Sequence, residues 1–257
     1  MALPTRIAAR LLGLARLLEN PRLLKLRRHG GVLGTYYSLN QPWLTSMGIA
    51  TVLDIGAHTG LFSVTINAVL PKARIYAFEP QQECYEQLKR RLRGVAGFAA
   101  FNVALGEQSG TVAFERSASA PSSSCLKMAE LHKRLFPLTA AAETISVPVE
   151  RLDTLASTLA LSGPLLMKLD VQGYEDRVLR GGEQTVKRAQ VLLVETSFQP
   201  LYEGQALFED ILTILRGWGF RYAGALDQLL NPRSGEALQQ DSIFVRDSLP
   251  QLLPSSP

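Results

Sequence analysis

The stretch that most limits what this chain can fold into is Thr51-Val52-Leu53-Asp54-Ile55-Gly56-Ala57-His58-Thr59-Gly60-Leu61-Phe62-Ser63. Its apolar, β-branched start reads as a buried strand, its glycines as a tight turn, and Leu61 to Leu70 as an apolar helix. Gly56 and Gly60 let the backbone turn sharply and approach a ligand more closely than a Cβ permits. Asp54 falls at the carboxyl end of the strand, where open α/β sheets bind ligands.

Spacing separates the nucleotide-loop readings. A P-loop needs Lys-Ser or Lys-Thr after its second glycine, and Leu61-Phe62 stands there. A dinucleotide fingerprint needs a glycine where His58 stands, so that the backbone can pass a pyrophosphate. An acidic residue, a single-glycine turn and a second glycine four residues on suit a cationic, phosphate-free adenosine ligand. The loop resembles the first motif of S-adenosylmethionine-dependent methyltransferases; an ordinary strand-to-helix turn is the other reading.

At 257 residues and 46% hydrophobic content, the chain can bury one sizeable core, and its length favours one catalytic domain. No apolar run reaches the roughly 18–20 residues of a membrane span. The two cysteines, Cys84 and Cys125, have neither metal spacing nor the number for a disulfide framework, which points to a reducing, cytoplasmic setting. The start of the chain lacks the compact apolar core and small-residue cleavage site of a secretory signal.

The net charge of +4 is unevenly distributed: residues 1–31 hold seven Lys and Arg against one Glu, and the remainder holds 20 basic against 22 acidic residues. The body is therefore not a nucleic-acid binder by composition. Leu3, Ile7, Leu11, Leu14 and Leu18 fall on one helical stripe, followed by Asn20-Pro21 and a basic run ending in Gly30-Gly31. This arm, residues 1–31, is expected either to pack on the body or to lie peripherally on an anionic membrane at the inner face. The catalytic domain is expected over residues 32–247. The tail, 248–257, carries three prolines and is expected to be disordered.

Tyr36 to Gly48 reads as an irregular lead-in with a short helix start at Pro42-Trp43. Ala73 to Phe78 reads as a second strand ending at Glu79-Pro80, with a helix from Gln82 to Arg93. A carboxylate at that strand tip can accept hydrogen bonds from both ribose hydroxyls, so Glu79 is the second cofactor anchor; an exposed surface glutamate is the alternative. Ala99 to Val103 reads as a third strand leading into Asn102-Val103-Ala104-Leu105-Gly106, where an adenine is expected against backbone amides and Asn102. Thr111–Arg116 and Thr144–Val149 alternate as a two-stranded excursion. The Ser-, Ala- and Pro-rich segment between them, residues 117–142, is expected to be an acceptor lid with a helical piece near Leu126 to Phe136.

Leu165-Leu166-Met167-Lys168-Leu169-Asp170 reads as a fourth strand whose Lys168 and Asp170, two residues apart, share one face at the ligand end. A structural ion pair is the competing account. Gly173 and Glu175 then start a helix, Val191–Val194 makes a fifth strand ending at Glu195, and Leu207 to Trp218 makes another helix. Phe220–Leu226 and Ser242–Val245 are expected to close the sheet as an antiparallel pair.

Taken together, Val52-Leu53-Asp54-Ile55-Gly56-Ala57 with Gly60, Ala77-Phe78-Glu79-Pro80, Val103-Ala104-Leu105-Gly106, Val149-Glu150-Arg151-Leu152-Asp153 and Lys168-Leu169-Asp170-Val171 with Gly173-Tyr174-Glu175, Val178-Leu179 and Gly181 resemble the FkbM-type methyltransferases. That family is a branch of the class I S-adenosylmethionine-dependent O-methyltransferases, and it usually shows glutamate where Gln172 stands. The resemblance implies a Rossmann-like α/β fold: a seven-stranded, mostly parallel sheet with its last strand antiparallel and helices on both faces. It also implies methylation of a hydroxyl on a sugar, polyketide or other small metabolite.

The expected cofactor set is Asp54, Gly56, Ala57, His58, Gly60, Glu79, Pro80, Asn102, Ala104 and Asp170. The expected catalytic set is Asp170, as base or acceptor-orienting group, Lys168, stabilising oxyanion character, and Glu195, sharing the site. His58 is a further base candidate, with loop shaping as its other role. Asp170 and Glu195 also lie where some relatives of this fold hold Mg²⁺, and two oxygen ligands are compatible with that ion without requiring it. Other readings are a protein or nucleic-acid methyltransferase on the same fold and a non-catalytic, membrane-associated module. The fourth strand lacks the Asn/Asp-Pro-Pro-aromatic signature of amino-group DNA methylation.

Overall fold

The structure, a computed structural model, describes residues 22–117, 122–139 and 141–248. The amphipathic stripe expected over residues 3–18 and all of the expected tail but Ser248 lie outside the described residues.

The loop-bearing strand β1 (Thr51–Ile55) is buried along its whole length in the interior of a seven-stranded sheet. On one side it pairs in parallel with β2 (Arg74–Phe78), which pairs with β3 (Phe98–Phe101). Before the chain returns to this sheet it makes β4 (Ala104–Leu105), β5 (Gly110–Ser117) and β6 (Ala142–Glu150). On its other side β1 pairs in parallel with β7 (Leu165–Leu169), which pairs with β8 (Val191–Ser197). The hairpin of β9 (Phe220–Leu230) and β10 (Ala237–Arg246) completes the order β3-β2-β1-β7-β8-β10-β9. Only β10 runs against the others, inserted between β8 and β9. This is the fold class expected.

Both faces of the sheet are covered at its centre, so β1, β7 and β8 read as nearly continuous apolar runs. Leu53, Ile55, Met167, Leu169, Leu192 and Val194 pack with Val178 and Leu179 of α8 (Glu175–Gly181) and Ile211 and Leu215 of α10 (Phe208–Gly217). Their neighbours Val52, Leu166, Val191 and Leu193 face the other way. They meet Ile66 and Val69 of α4 (Leu61–Val69), Leu39 of α2 (Leu33–Leu39) and Leu44 of α3 (Pro42–Thr45).

Three local expectations are corrected. The lead-in read as irregular is mostly helical, as α2 and α3, because its aromatic and aliphatic residues pack on the sheet face. The excursion is three-stranded, since β4 adds in parallel to β6 while β5 pairs with it antiparallel. The third strand ends at Phe101 rather than Val103, where the chain leaves one sheet for the other. The described part of the basic arm forms α1 (Arg22–Arg28), whose Leu23 and Leu26 are buried with Ala57, Val64, Leu88 and Leu92. The remaining helices are α5 (Gln82–Arg91), α6 (Glu130–Leu135), α7 (Leu152–Ala156) and α9 (Glu183–Val186). No described helix is long and apolar enough to cross a membrane.

Candidate functional site

The carboxyl ends of β1, β2, β7 and β8, with β10 beside them, open into a cavity of about 410 Å³. That is the size of a small-molecule site. Of the expected residues, Gly56, Ala57, His58, Glu79, Pro80, Ala104, Lys168, Asp170 and Glu195 line it.

Its first wall is the turn after β1. Gly56 has φ +77°, and a Cβ there would lie 1.9 Å from the carbonyl oxygen of Asp170, so only glycine lets the two strand ends approach. Gly60, at φ +87°, is the N-cap of α4. His58 also takes positive φ, at 49°, and its amide donates to Glu79 Oε2 at 2.7 Å. Its Nε2 is buried with no partner among the described residues, and burial holds the ring below its ordinary pKa, so the imidazole is neutral.

Glu79, 4% exposed, accepts from His58 N through one oxygen and from Gln81 N at 2.8 Å through the other. Desolvation nevertheless lifts its carboxyl to about 7, against the help of those two amides. Asn102 Nδ2 donates to the carbonyls of Glu79 and Pro80, both at 2.9 Å, and so fixes the turn that presents Glu79. Asp54, Gly60 and Asn102 stand behind the wall and do not line the cavity. Asp54 is fully buried: Ser63 Oγ donates to its Oδ2 at 2.5 Å, while its Oδ1 has no partner among the described residues. Burial pushes its carboxyl up, opposed chiefly by Lys168.

The second wall is a charged network. Lys168 Nζ donates to Asp170 Oδ2 at 2.8 Å and lies 5.4 Å from the Phe62 ring centroid. Burial opposes the charge of both partners, yet the pairing wins: Lys168 is raised and Asp170 lowered. Gln172 Nε2 donates to Asp170 Oδ1 at 2.8 Å and to Glu195 Oε2 at 2.7 Å, and Tyr202 Oη donates to Gln172 Oε1 at 2.8 Å. Glu195 is pushed well up by burial, then by the charges of Asp170, Glu175 and Asp241. Asp241 of β10 stands opposite Glu195 in the strand register, lines the cavity, and is raised to about 6 by burial.

Sequence reasoning did not assign Gln172, Tyr202 or Asp241 to the site. Only the Gln172 position carried a signal, as a departure from a family pattern. Asp241 reaches the cavity because β10 inserts beside β8, and Tyr202 because its loop folds back; neither has a local sequence mark. Ser123 and Cys125, in the segment read as a lid, also line the cavity. Burial raises the Cys125 thiol to about 12, so it is no thiolate nucleophile.

Among the described residues, no group of three or more His, Cys, Asp or Glu side chains is placed to hold a metal ion. Both oxygens of Asp170 and one of Glu195 already accept N–H donors, which a hard cation would have to displace. The residues present do not fit Mg²⁺.

Comparison with known proteins gives a consistent result. The model of the methyltransferase FkbM domain matches residues 54–222. A 2-O-methyltransferase, NoeI, of Sinorhizobium fredii (strain NBRC 101917 / NGR234) is 28% identical over 170 residues, covering 64% of this chain and 70% of that protein. Methyltransferase sdnD of Sordaria araneosa is 27% identical over 193 residues, covering 66% and 73%. A crystal structure of methyltransferase FkbM from Methylobacillus flagellatus KT superposes with a TM-score of 0.47 at 13% identity; the match covers 90% of this chain and spans 60% of that one.

Proposed function

The chain belongs to the methyltransferase FkbM domain family, and from that premise we propose that it methylates a hydroxyl of a small sugar- or polyketide-like metabolite, using S-adenosylmethionine. The observation that carries this reading is the charge of the cavity. Glu79, Asp170, Glu195 and Asp241 line it against the single ammonium of Lys168, among the described residues. Even with Glu195 protonated, the balance favours a cation. When bound, the cofactor supplies a methyl group on a positively charged sulfonium.

In this reading Glu79 receives the ribose hydroxyls, with the Gly56-Ala57-His58 turn, Pro80 and Ala104 as the surrounding walls. Asn102, Asp54 and Gly60 act through the backbone they hold. Asp170 would orient the acceptor hydroxyl and take its proton, Lys168 would stabilise the developing oxyanion, and Glu195 would share the proton traffic, the methyl–sulfur bond of the cofactor being the one that breaks to leave a neutral thioether. His58, neutral and tied into the loop, shapes the turn. The segment 122–139 covers the acceptor side through Ser123 and Cys125. The name of one relative, a 2-O-methyltransferase, supports an oxygen acceptor. The slightly acidic body supports a small molecule over a nucleic acid.

Calorimetry with S-adenosylhomocysteine tests the cofactor half. The native chain is expected to bind, and Glu79→Gln to bind about 10- to 100-fold more weakly, as loss of a charge-assisted hydrogen-bond acceptor implies. No binding by the native chain would remove the reading. Labelled methyl incorporation from a metabolite pool, lost in Asp170→Ala, tests the transfer.

A further inference from the structure

The carboxyl groups of Asp170 and Glu195 come from neighbouring parallel strands and share one end of the cavity, where burial and the charge of Asp170 push Glu195 toward its protonated form. A single neutral side chain spans them. The two N–H bonds of Gln172 Nε2 go one to each carboxylate, at 2.8 and 2.7 Å, and its Oε1 is occupied by the Tyr202 hydroxyl at 2.8 Å. That last contact fixes which way the amide faces, because a flipped amide would turn its oxygen toward both carboxylates and its nitrogen toward a hydroxyl donor.

The backbone of the same residue is held in an unusual state. Gln172 has φ +56°, a conformation disfavoured for a residue with a Cβ, and its carbonyl accepts from Ser124 Oγ at 2.6 Å. Tyr202 Oη also lies 3.3 Å from the Ser122 carbonyl, and Met128 bridges to Tyr202. The amide that joins the carboxylates is thus also joined to the segment over the cavity.

We propose that Gln172, oriented by Tyr202, is a positioning residue that clamps Asp170 and Glu195 in one geometry and links that geometry to the 122–139 segment. The inference rests on the reading of Asp170 and Glu195 given above. Its physical content is a donor pair without added charge. Lys168 neutralises Asp170 from the other side, Glu175, Asp241 and Asp54 are further acids near the pair whose carboxyls burial pushes up, and Tyr202 is held neutral by burial. An apolar group at position 172 would remove the N–H donor that each acid receives from Gln172.

The test is a carboxyl ¹³C NMR titration of the full chain labelled at Asp and Glu, with Asp170→Asn and Glu195→Gln used to assign the signals. In Gln172→Met, of similar volume, the Asp170 midpoint is expected to rise by about one pH unit, as loss of an N–H donor to a charged carboxylate implies. In Tyr202→Phe it is expected to move the same way by less, and amide exchange over residues 122–139 is expected to quicken in both variants. Unchanged midpoints in both variants, or a fall in melting temperature with unchanged midpoints, would overturn the clamp and leave Gln172 an ordinary packing residue. Calorimetry on the native chain is a separate readout, so a failure of the cofactor reading and a failure of the clamp are distinguishable.

Discussion

Glu79 accepts two backbone amides and is still raised to about 7, because burial outweighs both bonds. A carboxyl raised above its unfolded value of 4.5 binds its proton more tightly when folded. Its stabilising contribution is complete below that value and is lost as pH rises through about 7. The ligand-free chain is therefore expected to lose melting temperature between about pH 5 and 8, and Glu79→Gln to show a flatter profile over the same window. Parallel profiles would show that Glu79 does not carry the effect. Other motif residues serve the scaffold: Asp153 Oδ1 accepts from Thr185 N at 2.8 Å and Thr185 Oγ1 at 2.6 Å, and its Oδ2 accepts from Gln184 N, holding the first turn of α9. A motif match alone does not separate such a residue from one that meets a ligand.

The unit formed by β1, its turn and α4 shows how two elements are locked together at the site. Gly56→Ala would combine a strained positive φ with a methyl group thrust at the Asp170 carbonyl. It is expected to cost at least about 2 kcal/mol in chemical denaturation; a loss under about 0.5 kcal/mol would show that β1 and β7 can separate freely. This unit, the β2 tip and the β7 pair were legible in the sequence, because glycine turns, apolar strands and carboxylates at strand ends are local signals. The Gln172 clamp was not, since its partner Tyr202 lies 30 residues further on, in a loop without periodicity. The start of α3 at Pro42 was marked, but the helical character of α2 was hidden, because its short run gains helix from packing on the sheet rather than from propensity.

Across the whole molecule, charge is segregated: a basic arm precedes a slightly acidic body. The described part of that arm, α1, turns Leu23 and Leu26 inward, leaving Leu24, Arg27 and Arg28 exposed. Peripheral contact of residues 1–31 with an anionic membrane remains a proposal with a direct measurement. Co-sedimentation with phosphatidylserine-containing vesicles is expected to weaken when residues 1–31 are removed and to fall with added salt; equal binding of both chains would refute it. The insertion of β10 between β8 and β9 has its own consequence during synthesis. Among the described strands β10, which carries Asp241, is the last to be synthesised, so β8 waits with a bare hydrogen-bonding edge until it emerges. A nascent chain interrupted in that interval would carry an unpaired strand edge open to another chain, which makes the closing hairpin a safeguard against aggregation.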